Sequence, residues 1–95
     1  MNKKAIKFLR GVSHALNPVV MIADKGLTEN VMNEIEIALD RHELIKIKIR
    51  MDKQTRNEFT DKILEITGAE KIHAIGQTLT LFRVNPDDPQ FDLSL

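Results

Sequence analysis

Residues 21–50 read MIADKGLTENVMNEIEIALDRHELIKIKIR: a short polar loop, an amphipathic helix, then a strand with two unlike faces. The loop Ala23-Asp24-Lys25-Gly26 runs into Thr28, whose hydroxyl is well placed to accept an orphan backbone N–H at the helix start. Such a start carries free N–H groups and partial positive charge, so the loop and first turn form a natural anion site. Lys25 adds a cation there. Further on, strand side chains alternate, so Ile45, Ile47 and Ile49 fall on one face and Lys46, Lys48 and Arg50 on the other. A phosphate-friendly loop and a cationic strand in one unit point to a polyanion.

Working outward, the helix over 29–42 buries Val31, Ile35, Ala38 and Leu39, joined by Met32, and turns Glu34, Asp40 and Arg41 to water. Glu29 in its first turn and Arg41 in its last complement the dipole. Before the loop, the apolar run 19–22 does not alternate, which predicts an interior strand covered on both faces. Two strands joined by this helix predict a parallel, right-handed βαβ unit. Upstream, 3–15 reads as a helix: Ile6, Leu9 and Val12 recur at helical spacing with Ala5 and Phe8 beside them. Lys3, Lys4, Lys7 and Arg10 take its wetter side, and Asn17-Pro18 ends it.

Downstream, a third helix spans 53–67, capped by Asp52 and stopped by Gly68, with Phe59, Ile63 and Ile66 inward. Segments 71–75 and 78–83 form a hairpin around Gly76-Gln77. Ile72, Ala74, Leu79 and Leu81 fit its core side, and Lys71, His73, Thr78, Thr80 and Phe82 the other. A tail over 84–95 carries Asp87, Asp88 and Asp92 with Phe91, Leu93 and Leu95 alternating, and is expected to be extended or loosely docked. The order αβαβαββ predicts an α/β (α+β) two-layer domain over 1–95, with a core of about 3–83. Its mixed four-stranded sheet should carry helices mainly on one face and leave the lysine face to water.

Composition narrows the function. Apolar content of 42% beside 29% charged residues fits a globular chain, and the absence of cysteine excludes disulfides and thiolate sites. No apolar run approaches a membrane span or a secretory signal, so a cytoplasmic protein is expected. Net charge is zero, which counts against a strongly basic nucleic-acid binder. Its distribution softens that objection. Residues 1–25 hold Lys3, Lys4, Lys7, Arg10 and Lys25 against Asp24 alone, and 84–95 hold three aspartates and no cation. Binding responds to the local field.

The segments LRGVSHALNPVVMI, KGLTENVMNEIEIALDRHELIKIKI and AIGQTLTLFR, within 9–83, resemble the YhbY family, stand-alone bacterial versions of the CRM domain. That domain is the RNA-binding module of chloroplast ribosome maturation and group II intron splicing. The resemblance implies a fold similar to the C-terminal domain of translation initiation factor three, and association with precursors of the large ribosomal subunit in ribosome assembly. It also implies a GxxG loop, likened to the loop with which KH domains clamp a nucleic-acid backbone. Here that loop aligns with Ala23-Asp24-Lys25-Gly26, with alanine in place of the first glycine. An alanine is tolerable in the β region, and strained by about 1–2 kcal/mol at positive φ.

Each feature has a plainer explanation. Lys46, Lys48 and Arg50 could be a solvated face that discourages edge pairing; with the family pattern beside them, phosphate contact is the better reading. Thr28 is first of all a helix cap, Gly26 a backbone requirement, and Lys25 the phosphate ligand of the loop. Arg83, in the family's pattern, reaches either a phosphate or a neighbouring carboxylate. Phe82 could stack on a base, but more simply covers a satellite cluster with Phe91. His42-Glu43-Leu44-Ile45-Lys46 lacks the second histidine of a zinc-protease helix, and no nucleophile or phosphate-loop motif is present. The expectation is a monomeric, non-enzymatic RNA-binding protein without metal or cofactor and without a small-molecule substrate. It would contact rRNA of the large-subunit precursor through Ala23, Asp24, Lys25, Gly26, Thr28, Lys46, Lys48, Arg50 and Arg83. The alternative is a protein-interaction module for an acidic partner. The acidic tail is a candidate mask for the basic face.

Overall fold

The computed structural model describes residues 1–93. Its elements run α1 (Lys3–Ser13), β1 (Pro18–Ile22), α2 (Glu29–His42), β2 (Leu44–Ile49), α3 (Lys53–Thr67), β3 (Glu70–Ile75) and β4 (Thr78–Phe82). This is the αβαβαββ order read from the sequence. The strands form one four-stranded mixed sheet in the order β1-β2-β4-β3. β1 runs parallel to β2, while β4 is antiparallel to both β2 and β3.

Helix ends follow local chemistry. Asn2 Oδ1 accepts from the Ala5 N–H at 2.8 Å, Thr28 Oγ1 from Val31 at 3.2 Å, and Asp52 Oδ1 from Thr55 at 2.7 Å. α3 stops at Gly68, whose φ of 70° is left-handed. α2 stops at Glu43, also at positive φ (61°), a conformation a bulky residue adopts only when its surroundings compensate.

Alternation in β2 splits the core in two. Ile45, Ile47 and Ile49 are each 1% exposed or less and pack with Val20, Ile22, Ile35, Leu39, Ile63, Leu79 and Leu81 under α2 and α3. Burying each isoleucine contributes about 1.5–3 kcal/mol. On the opposite face, Leu44 joins Leu9, Ile72 and Phe82, with Phe91 and Leu93 packed against them. Two helices therefore share one side of the sheet, as expected, while α1 crosses the other and covers the Leu44 end of the lysine face.

Four expectations need correction. β1 is an outer strand with alternating burial, not an interior one, and Val19 and Met21 are each 52% exposed. The reason is topological: β4 takes the second edge of β2, so β1 gains no other neighbour. In the hairpin, Ile72 lies on the α1 face rather than with Leu79, because the β3–β4 register slips between Lys71 and His73, and Ala74 is exposed rather than in the core. Such a bulge breaks strict alternation. In α3, Ile66 is 54% exposed and Thr67 takes the inward position, satisfying its buried hydroxyl by donating to the Ile63 carbonyl at 2.7 Å. α1 ends at Ser13, two residues short of the expected 15.

The tail is fastened through Glu43. This carboxylate, 1% exposed, accepts the Asn85 N–H at 2.6 Å and the Gln90 N–H at 2.7 Å. Phe91 then lies edge-on to Phe8 and Phe82, at centroid distances of 6.5 and 6.1 Å. Phe82 is thus a buried ring of the satellite cluster, not a free stacking platform. The Leu95 position of the tail's alternation lies outside the described residues.

Candidate nucleic-acid interface

The register of β2 sets the surroundings of its lysines. Lys46 stands opposite Thr80 and Lys48 opposite Thr78, while Met21 of β1 flanks Lys48 on the other side. None of these neighbours is acidic. Among the described residues no ion pair engages Lys46, Lys48, Arg50 or Lys25; the recorded pairs all belong to Arg83. The lysine stems lie half-buried along the sheet, which leaves their ammonium groups toward solvent.

The loop sits at the Arg50 end of this strand. The Arg50 N–H donates to the Ile22 carbonyl at 2.8 Å, which ties the root of the loop to the cationic face. Within the loop, the Gly26 N–H donates to the Ala23 carbonyl at 2.8 Å and closes a turn. Gly26 has a φ of 73°, and a Cβ there would stand 3.4 Å from Phe59 Cζ. The backbone therefore calls for glycine at 26, whereas the Phe59 ring would meet a Cβ there in ordinary contact. Ala23 is different: Glu43 is the sole non-glycine at positive φ among the described residues, so the methyl of Ala23 introduces no backbone strain. Ala23, Asp24 and Lys25 are all exposed.

Thr28 caps the N–H of Val31, leaving those of Glu29 and Asn30 outside the helical ladder. Beside the loop, α3 starts at Asp52, where hydrogen bonds to the Thr55 side chain and backbone hold the carboxyl below its ordinary value. Lys53 follows, exposed. Its place directly after the cap puts a cation at the start of α3 that helical periodicity alone does not single out.

Arg83 falls elsewhere. Its guanidinium meets Glu36 at 2.8 Å and Asp40 at 2.9 Å, and also donates to the Thr67 carbonyl at 2.9 Å. Burial opposes its charge, but the hydrogen bonds and field of the two carboxylates outweigh burial and raise its pKa further. Of the two partners the sequence allowed, the structure provides carboxylates, on the α2 side. Glu43, of the zinc-like HELIK segment, is likewise occupied by the tail. No group of three or more potential metal ligands occurs among the described residues, and no helix there is long and apolar enough to cross a membrane. Residues 84–93 dock at the Leu44 end of β2, and Asn85 and Gln90 also bind the carbonyls of Asp40 and Arg41.

The result is a three-helix, mixed-sheet α/β domain with an unpaired cationic strand beside a tight turn. The chain belongs to the CRS1/YhbY (CRM) domain family, whose model matches residues 1–83. It is 44% identical over 84 residues to an RNA-binding protein of Haemophilus influenzae, covering 87% of this chain and 85% of that one. It is 35% identical over 81 residues to a Pseudomonas aeruginosa protein named as a probable RNA-binding protein, covering 84% and 78%. In structure it resembles a Staphylococcus aureus protein described as a candidate RNA binder, with a TM-score of 0.77, 26% identity and 90% of each chain covered.

Proposed function

We propose that this protein binds ribosomal RNA in precursors of the large ribosomal subunit and serves their assembly in the cytoplasm, as a monomer and without catalysis. The observation that carries the reading is the placement of Lys46 and Lys48 between uncharged neighbours, in line with Arg50 and the Ala23-to-Gly26 turn. The RNA-binding names of the relatives support it. Cations free of internal carboxylates can neutralise phosphate without first breaking a pair, and such contacts supply affinity rather than sequence choice. Lys25 and the amides of the first α2 turn extend the surface; Arg83 is left out of it.

Replacing Lys46, Lys48 and Arg50 together by alanine should abolish co-sedimentation with large-subunit precursors while the fold persists. Undiminished co-sedimentation of a folded triple variant would reject the reading. The exposed Val19 and Met21 beside Lys48 favour one second reading, an acidic protein partner on the same face. A pull-down repeated after nuclease treatment separates the two, since a partner kept after RNA digestion supports protein contact.

A further inference from the structure

At the Arg50 end of the sheet, the first turns of α3 and the β3–β4 hairpin leave a cleft of about 170 Å³ between them. The Ile49 N–H donates to the Gln77 carbonyl at 2.7 Å, so the hairpin turn is stitched to the end of β2, and the cleft opens on the α3 side of the sheet, across the strand from Lys46 and Lys48. Its volume is about that of five or six liquid waters, enough for one ring system rather than a helix or strand.

The lining is layered. Ile49 and Leu79, both buried, form an apolar floor. Asn57 and Thr60 stand on the α3 side, and Gln77 and Thr78 on the hairpin side. Thr60 donates its hydroxyl proton to the Arg56 carbonyl at 2.8 Å, which leaves its oxygen able to accept. Among the described residues the side-chain amides of Asn57 and Gln77 make no hydrogen bond, though each offers a donor beside an acceptor. Lys53 and Arg56 also line the cleft, and Arg56 is steadied by its 2.8 Å bond to the Met51 carbonyl. An apolar floor, amide edges and cations together match the face, the edge and the phosphate of one nucleotide.

We propose that this cleft receives a single unpaired RNA base, read by Asn57 and Gln77, with Lys53 holding the adjoining phosphate. The proposal rests on the RNA-binding reading above and adds base choice, at the α3 side of the sheet end, to a protein whose lysine face contacts only backbone. Single-stranded RNA can present its base edges in this way. A side-chain amide pairs with adjacent donor and acceptor atoms, the pattern of adenine N6 and N7.

The test is fluorescence anisotropy of the full chain with labelled adenine, cytosine and uracil tracts about twelve nucleotides long, at several salt concentrations. The adenine tract should bind about fivefold or more tighter than the uracil tract, the discrimination one amide–base pair provides. Asn57→Ala with Gln77→Ala should bring the three tracts within about twofold of one another while the salt slope stays unchanged, since phosphate contacts set that slope. Both residues are exposed, so the variant should fold. Equal binding of all tracts by the native chain, or a preference that survives the double substitution, would overturn the cleft. A native chain that binds no tract even at low salt would overturn the RNA reading itself.

Discussion

The guanidinium of Arg83 meets the carboxylate of Glu36 at 2.8 Å, joining the end of β4 to the middle of α2. A further bond to the Thr67 carbonyl brings in the end of α3. The Asp40 partner is 74% exposed, so solvent screens that pair and it is worth about 0–1 kcal/mol. Asp40→Asn should therefore lower stability little. Arg83→Met should cost about 1–3 kcal/mol through the lost charge-assisted bonds. Urea denaturation checks both, and RNA affinity of Arg83→Met should stay within about twofold of the native chain, because phosphate contact is assigned to other cations.

Salt dependence isolates the basic strand. If Lys46, Lys48 and Arg50 each neutralise a phosphate, the native chain should lose affinity steeply between low and physiological salt. The triple alanine variant should flatten the logarithmic slope by about two units for single-stranded RNA. Parallel slopes for the two proteins would remove these residues from the contact.

Position 26 should be more sensitive to substitution than position 23. Gly26→Ala places a Cβ at a φ of 73°, at a cost of about 1–2 kcal/mol. Ala23→Gly restores the family's loop pattern at a position with no strain to relieve. It should leave thermal stability nearly unchanged, and calorimetry of the two variants reads the contrast directly.

Glu43 should be sensitive to subtle change. Glu43→Gln keeps the shape but offers an N–H₂ where an oxygen now accepts from Asn85 or Gln90. Loss of that bond should cost about 1–3 kcal/mol and make the chain after Arg83 more open to limited proteolysis.

Asp52 provides the acid response. Its folded pKa is lowered by the bonds to Thr55, so its contribution is present above the ordinary carboxylate value and is lost as pH falls through the lowered one. Asp52→Ala should be less stable than the native chain at neutral pH, and the gap should close in strong acid. Denaturation midpoints at a series of pH values test the sign.

The element order, the caps at Thr28 and Asp52 and the stop at Gly68 were legible in the sequence, because each depends on neighbours in the chain. So was the alternation of β2. The exposure of β1 was not: Val19 and Met21 look like core until the sheet order denies them a second neighbour. Ile72 misled for a related reason, since a one-residue slip in register inverts a face and leaves no trace in composition. The role of Arg83 and that of Glu43 depend on residues some forty positions away, beyond the reach of local pattern. Within the candidate site, the lysines came from periodicity, whereas the Asn57–Gln77 cleft exists only once α3 lies against the hairpin.

The buried carboxylate of Glu43 has a practical side. The match to the family model ends at Arg83, and a chain trimmed there would keep every helix and strand. It would nonetheless strip Phe91 and Leu93 from Leu9, Leu44 and Phe82, and take from the Glu43 carboxylate the two amides that hold it. Residues 84–93 are thus a lid on the second nucleus, and an expression plasmid that omits them would yield sticky protein.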